Sequence, residues 1–479
     1  MHGFRRALPP LLLAFLAAPA FGEAPGAAAP GAEFAKAARD IGDFLLKTAR
    51  HDGDAQYWAQ FEGGPKALAD NQRQFPLALY NGVAGTGFFF LSLHRATGEP
   101  RYLEAARGAG LRLVQKAQGL PGGGLRWQGS SERKGRTIPE AEGIGLYTGN
   151  AGIGIFLLHL FQATKDARFR AAADGAFERV LKEAKAEGEG CCWENAFQDI
   201  IGGEAGIGLA LIEAHRLAGN PAYIAAARKA ASWLLSKAAP KGDMALWTTY
   251  GTPDPNFSHG TAGIAFFLVA LGDPPARKAG IAGAKWVESQ ASPCEGDGLL
   301  WKYYAEPPPQ GKQNWVMNSW CHGAPGTTRL FLLLHRLTGD EAVLRTAARG
   351  AGGIRAEARL SSGKPFYYNP TVCCGAAGCM DAFCDLYAAT KEKRFLDDAR
   401  LLADSVLRDL RDAPGGRAFA TYDEADEETK LAPYYETGFM LGNAGIGYAL
   451  LRLSALMDGE PEKALFLPDH PLAFPEGKK

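Results

Sequence analysis

The chain repeats one short step seven times, and this repetition limits its fold more than any other feature. A glycine, two residues and a second glycine recur with first glycines at Gly82, Gly149, Gly203, Gly260, Gly323, Gly375 and Gly442, at intervals of 52 to 67 residues. Units of that size cannot bury their apolar faces alone and must close on one another. The 479 residues therefore read as one domain over 32–479, although length alone favours two or three.

Each step opens an apolar run, and the end of the run is fixed. Gly98, Lys165, Gly219, Gly339 and Lys391 each fall 16 residues after the first glycine of their step. That spacing predicts helices of about 24 Å. Runs such as Phe88-Phe89-Phe90-Leu91 and Leu330-Phe331-Leu332-Leu333-Leu334 are apolar on more than one side, which predicts an inner layer. The segments 102–116, 169–185, 222–237, 342–352 and 395–410 carry Arg, Lys and Glu on one face and predict an outer layer.

Seven inner helices meet only six later outer ones, so a helix over 32–50 must supply the seventh and the chain ends must meet. The expected fold is all-α, an α/α toroid of seven helical hairpins. Because the inner helices run the same way, their starts share one end of the ring with the long connections 118–148, 239–258, 291–320 and 410–440. A functional site belongs at that end.

Arg5 and Arg6 precede an apolar run over 11–18 and the small-residue steps Ala18-Pro19-Ala20 and Ala20-Phe21-Gly22. This predicts an export signal over 1–22 and a flexible leader over 23–31, hence a periplasmic or secreted protein with no membrane span in the mature chain. Basic and acidic side chains balance at 52 each, with no basic stripe, so no nucleic-acid partner is expected. The expected partners are small molecules or peptides, and the oligomeric state is left open.

Eight cysteines in an exported chain would ordinarily pair. Cys373 and Cys374 are adjacent, however, which strains a disulfide. If three cysteines bind metal, the remaining five cannot all pair. Cys191-Cys192-Trp193 reads as a vicinal disulfide or a second soft site, and Cys294, Cys379 and Cys384 read as core or disulfide residues.

In repeats four to six, the two positions before the first glycine hold Ser258-His259, Cys321-His322 and Cys373-Cys374. Elsewhere they hold Tyr80-Asn81, Tyr147-Thr148, Ile201-Gly202 and Met440-Leu441, which are not soft ligands. A lone buried cysteine or a histidine at a helix end is commonplace. Five thiol and imidazole groups at equivalent positions of consecutive repeats favour a metal centre.

The order Ser258-His259-Gly260, Trp320-Cys321-His322-Gly323 and Cys373-Cys374-Gly375, preceded by Asp199-Ile200-Ile201-Gly202-Gly203, resembles the LanC-like lanthionine cyclases and their eukaryotic relatives. The resemblance covers nearly all of the predicted mature chain. It implies an α/α toroid with zinc (Zn2+) at one end, held by Cys321, Cys373 and Cys374. Most members have His at the last position, and a three-cysteine subgroup shares the Cys. Three thiolates leave such a centre with a net charge of about −1, a weaker Lewis acid but a more electron-rich one.

The resemblance further implies addition of a thiol, from a peptide cysteine or a small molecule, to a dehydroamino acid. His259 matches the catalytic His, His322 stands where many bacterial cyclases have Tyr, and Asp199 matches an active-site carboxylate. The plainer reading of Asp199 is a charge at a helix N-terminus. Met317 stands where many cyclases place Arg, a departure from the resemblance at a position that implies a substrate or enolate contact. If Cys321 and His322 share a first helical turn, a rotation of about 100° puts His322 beside the ion, and His259 faces the open position. With no dehydratase or kinase region in the chain, the electrophile must be made elsewhere.

Two other functions fit parts of the sequence. One is a carbohydrate enzyme of the α/α-toroid kind using Glu142, Glu194, Asp199, Glu204 and Glu436. The other is a non-catalytic, zinc-stabilised peptide-binding protein.

Overall fold

The computed structural model describes residues 29–63, 73–133, 136–193, 197–367, 369–422 and 433–474. The expected export signal, most of the leader and Glu194 lie outside them. Fourteen α-helices of the described residues alternate between two layers. The inner layer holds α2 (Val83–Thr97), α4 (Asn150–Thr164), α6 (Glu204–Ala218), α8 (Thr261–Leu271), α10 (Ala324–Thr338), α12 (Ala376–Thr390) and α14 (Asn443–Met457). The outer layer holds α1 (Ala32–Thr48), α3 (Pro100–Lys116), α5 (Ala167–Lys182), α7 (Pro221–Lys237), α9 (Pro274–Ser289), α11 (Glu341–Glu357) and α13 (Lys393–Asp409). The result is an α/α toroid of seven hairpins.

Local chemistry sets the length of the inner helices. Gly98, Lys165, Gly219, Gly339 and Lys391 end five of them in the left-handed conformation, with φ between 57° and 73°. This closes the last turn onto its free carbonyls. Helix α8 stops a turn earlier, at Gly272.

The second glycine of each step serves a tighter purpose than the crowding of inner helices. A Cβ at Gly152, Gly206 or Gly326 would stand 1.9 Å from the carbonyl oxygen of Leu146, Ile200 or Trp320 in its own entry loop. Only glycine admits that carbonyl to the first turn.

The residue two before each first glycine joins a circular belt of backbone hydrogen bonds. Tyr80 donates to Tyr147 O at 2.9 Å, Tyr147 to Ile201 O at 2.9 Å, Ser258 to Cys321 O at 3.1 Å and Cys321 to Cys373 O at 3.1 Å. Cys373 donates to Met440 O at 2.9 Å, and Met440 returns to Tyr80 O at 2.7 Å. The remaining junction slips by one residue, Ile200 N–H to Ser258 O at 3.2 Å. The belt satisfies buried polar groups at the crowded centre and fixes the seven repeats in register.

The chain ends meet as the helix count requires. Helix α1 packs along α14, and Gly31 N–H donates to Asp458 Oδ1 at 2.8 Å.

The connections expected as loops mostly open with short antiparallel hairpins, such as Ala239–Lys241 with Met244–Leu246 and Ser292–Cys294 with Gly298–Leu300. A tryptophan in or just after five of these hairpins donates its indole N–H to the last turn of the preceding outer helix. The pairs are Trp58 with Leu45 O, Trp127 with Leu113 O, Trp193 with Val180 O, Trp247 with Leu234 O and Trp301 with Val287 O, at 2.7 to 2.8 Å. Each bond ties the hairpin to the last helical turn, where backbone donors within the helix run out, although Val287 O also accepts from Gln290 N–H and Leu45 O from Thr48 Oγ1.

The C-terminal segment lies across the opposite end of the ring. Arg95, in the last turn of α2, donates to Glu462 O at 2.7 Å, and Arg336, in the last turn of α10, donates to Phe474 O at 2.6 Å. From this segment Asp469 and His470 reach a buried charge network of Arg329 on α10, Asp381 and Asp385 on α12 and Arg452 on α14.

Candidate metal centre and proton site

Cys321 and Cys373 occupy adjacent belt positions, so the backbone bond between them brings two sulfurs to the same spot on the rim. Cys374 follows directly. The Cys321 and Cys374 sulfurs stand 3.7 Å apart, and all three sulfurs lie within 4.8 Å of one another. Without a cation the three thiols cannot all ionise. Hydrogen bonds from Cys373 and Cys374 drive the Cys321 thiol far down, while Cys373 is held well up and Cys374 is pushed up to about 12. They titrate as a unit. A soft donor set of three thiols gathered at one point is the arrangement that fits zinc.

Two hydroxyls touch the cluster. Tyr80 O–H donates to Cys373 Sγ at 3.0 Å, and Ser319 Oγ lies 3.2 Å from Cys321 Sγ. Burial holds the Tyr80 phenol well above its ordinary range.

His259 lies one repeat away. Its Nδ1 is 2.7 Å from Asp199 Oδ2, and its ring centroid is 6.2 Å from that of His322. Burial disfavours the charged imidazole, but the hydrogen bond and charge of Asp199, helped by Asp254, hold His259 above its ordinary value. Asp199 is buried, and both readings of it hold. Oδ1 accepts the N–H groups of Gly202 and Gly203 at 2.9 Å each, the role of a helix-entry carboxylate, while Oδ2 orients His259.

The sequence pattern described as lanthionine synthetase C-like protein matches residues 73–464. The chain belongs to the lanthionine synthetase C-like family. Among solved structures, nisin cyclase is similar at 15% identity with a TM-score of 0.54, over 79% of this chain and 88% of its own. At that identity the likeness is one of fold. A D-mannose isomerase (15% identity, TM-score 0.46, 88% of this chain and 97% of its own) also matches. So does the cellobiose 2-epimerase of Spirochaeta thermophila (14%, TM-score 0.48, 90% and 96%). No curated protein matches the chain.

In this lanthionine synthetase C-like chain, the expected helical relation between Cys321 and His322 does not hold. Helix α10 begins at Ala324, after Gly323 turns the chain at φ 95°, so both residues precede the helix and a rotation per helical residue does not apply to them. His322 is buried and stacked on Tyr303, with centroids 4.0 Å apart and planes 10° apart. Its Nε2 lies 3.7 Å from Asp254 Oδ2, too far for a hydrogen bond, and neither ring nitrogen has a hydrogen-bond partner.

The alternative carboxylates have local work. Glu142 accepts from Leu77 N–H at 2.7 Å and Glu204 from Trp193 N–H at 3.0 Å. Burial pushes both, and Glu436, to about 7. Cys191 and Cys192 are free thiols on a β-strand, where successive side chains face opposite ways. Glu187, 3.5 Å from Cys192 Sγ, is also bonded to Trp233 and Lys237, and among the described residues Cys191 and Cys192 belong to no cluster of three ligand groups. Cys379 and Cys384 are buried free thiols, and Cys294 is a half-buried one.

The site holds two residues that sequence reasoning passed over. Tyr80 occupies the belt position of repeat one, equivalent to Cys321 and Cys373, and that equivalence was its only signal. Tyr250, at a hairpin tip with φ 49°, donates its hydroxyl to Asp199 Oδ2 at 2.9 Å and sets its ring edge-on to His259 at 5.3 Å. Thr249 beside it bonds the His259 carbonyl. No repeat position marks this hairpin in the sequence.

Proposed function

We propose that the protein adds a thiol to a dehydroamino acid, in a peptide or as a free molecule, and forms a thioether with zinc as its cofactor. The observation that carries this reading is the convergence of Cys321, Cys373 and Cys374 at one rim of a lanthionine synthetase C-like toroid, beside a histidine that is paired with a buried carboxylate.

Cys321, Cys373 and Cys374 would hold the ion. Zinc, when bound, stabilises a thiolate at neutral pH in a coordination place that three protein ligands leave open. The remaining steps fall to side chains. His259 takes the proton that leaves the substrate sulfur. The sulfur forms its bond to the β-carbon, the alkene pair moves onto the α-carbon and its carbonyl, and the α-carbon then takes a proton back. Asp199 Oδ2 fixes Nδ1 as the protonated nitrogen, which leaves Nε2 to exchange that proton. The proposal includes export, on the charge and apolar pattern of residues 1–22.

The test is direct. Purified protein with zinc is incubated with a dehydroalanine peptide, with or without an added thiol, and the products are read by mass and by resistance to alkylation. Loss of the alkylatable thiol without mass change marks intramolecular addition, and gain of the thiol's mass marks intermolecular addition. Peptide binding with neither change favours the non-catalytic reading. One zinc per chain is expected in the wild type and none in Cys321→Ala; undiminished zinc in that variant removes the assignment of the centre.

A further inference from the structure

We propose that Tyr80 is a positioning residue of the metal centre: its hydroxyl donates to the Cys373 sulfur and offsets the charge that a third thiolate brings. The inference rests on the zinc reading above. It concerns how this chain accommodates Cys374 at a position where an imidazole would leave the centre neutral.

The geometry of Tyr80 is fixed from several sides. Its N–H is bonded to Tyr147 O at 2.9 Å and its carbonyl to Met440 N–H at 2.7 Å, so the belt holds its backbone on both sides. Its ring stands edge-on to Tyr147 at 6.1 Å, and Tyr147 in turn stands edge-on to Trp320, the residue before Cys321, at 5.4 Å. From that position the hydroxyl reaches Cys373 Sγ at 3.0 Å. The N–H of Cys373 is already given to Met440 O. The other hydroxyl at the cluster is less committed, because Ser319 Oγ, 3.2 Å from Cys321 Sγ, also lies 3.0 Å from His322 O.

The chemistry asks for such a donor. A zinc held by three thiolates carries a net charge of about −1. An O–H donor draws charge from sulfur without adding a cation, so the centre stays electron-rich. It also makes Cys373 a poorer nucleophile than an incoming thiol, so that the added sulfur comes from the substrate and not from a ligand. Groups one step beyond a metal's ligands tune affinity in this way.

The experiment compares wild type with Tyr80→Phe, which keeps the ring and removes only the hydroxyl. Zinc affinity is measured by competition with a chromophoric chelator, the cobalt-substituted proteins are compared by their sulfur-to-metal charge-transfer bands, and the bound thiolates are timed against iodoacetamide. Both proteins are expected to bind one ion. Tyr80→Phe is expected to bind it about tenfold more weakly, the low end for groups beyond the ligands, with its charge-transfer band at lower energy and faster alkylation. Tyr80→His, which keeps an N–H donor, is expected to recover most of the affinity. Equal affinity and an unchanged cobalt spectrum in Tyr80→Phe overturn the proposal, as does a His variant no tighter than the Phe variant. If the Phe variant does not fold, Tyr80→Leu against Tyr80→His makes the same comparison. A wild type that binds no ion overturns the zinc reading itself, and the role of Tyr80 with it.

Discussion

Asp199 Oδ2 stands 2.7 Å from His259 Nδ1 while Oδ1 is taken up by the N–H groups of Gly202 and Gly203, so one buried carboxylate ties the entry of the third repeat to the histidine at the entry of the fourth. Tyr250 adds a donor to Oδ2 at 2.9 Å. A carboxylate that receives this many donors stays fixed, and the imidazole beside it keeps one orientation.

That relationship predicts a pH dependence. Asp199 holds His259 above its ordinary value, so Asp199→Asn is expected to lower the imidazole pKa, as followed by NMR titration of the His259 ring. The stability effect has a definite sign. Because folding raises this pKa, the folded state binds the proton more tightly, and the stabilisation is complete below the unfolded value of about 6.5. It is lost as the pH rises through the raised value. His259→Gln should therefore reduce stability relative to wild type more at about pH 5.5 than at about pH 9. Equal losses at both would show that Asp199 does not hold the proton there.

The buried charge network between the inner helices supplies a stability prediction. Arg452 pairs with both Asp381 and Asp385, all three side chains at most 4% exposed, and His470 lies 3.0 Å from Asp385. Arg452→Leu leaves two carboxylates buried with less compensation, a change that typically costs about 3–5 kcal/mol. Urea unfolding should show that loss. Zinc binding should stay unchanged in the folded fraction, because the network lies on the middle of the inner helices and the thiols at their starts.

Much of the architecture was legible because it rests on local chemistry. The left-handed caps at Gly98, Gly219 and Gly339 and the glycine steps are sequence signals in themselves, and counting them required Phe34 and Ile41 of α1 to find a partner in α14. The equivalence of Cys321 with Cys373, and of His322 with Cys374, also followed from counting. The tryptophan-capped hairpins were not legible, since three-residue strands carry too little periodicity, although Trp58, Trp127, Trp193, Trp247 and Trp301 recur in the sequence. The Tyr250 contact depends on a hairpin tip folding back over Asp199, and the burial of Asp469 and His470 depends on a C-terminal segment that follows the last repeat and has no repeat position of its own. Both are set by tertiary packing.

The glycine steps couple fold to site, and two substitutions separate the effects. A Cβ at Gly378 would stand 2.3 Å from Val372 O and 3.1 Å from Trp320 Cβ, the residues just before Cys373 and Cys321. Gly378→Ala should lose about 1–3 kcal/mol by overpacking and should also weaken zinc binding by displacing both ligand-bearing loops. At Gly339, where φ is 69° and no atom lies within 4 Å of a Cβ, alanine meets only backbone strain. That strain is worth about 1–2 kcal/mol, with zinc affinity unchanged. Equal zinc affinity in the two variants would separate the steps from the site.

The last prediction distinguishes the two histidines. His259 has an oriented ring with Nδ1 engaged by Asp199, the arrangement that leaves one nitrogen to exchange a proton with a reacting group. His322 is held by stacking on Tyr303 and has no hydrogen-bond partner at either nitrogen, with the Asp254 carboxylate 3.7 Å from Nε2, so its ring lacks the close carboxylate contact that orients His259. His259→Asn is therefore expected to keep one zinc and to lose at least about a hundredfold in the rate of thioether formation, the lower range for a positioned acid or base. His322→Phe keeps the stacked ring and should lose less. The two variants are compared on the same dehydrated peptide, with zinc content measured in each. Full activity in His259→Asn would transfer the proton work to His322, whose unpartnered nitrogens lie beside the same thiols.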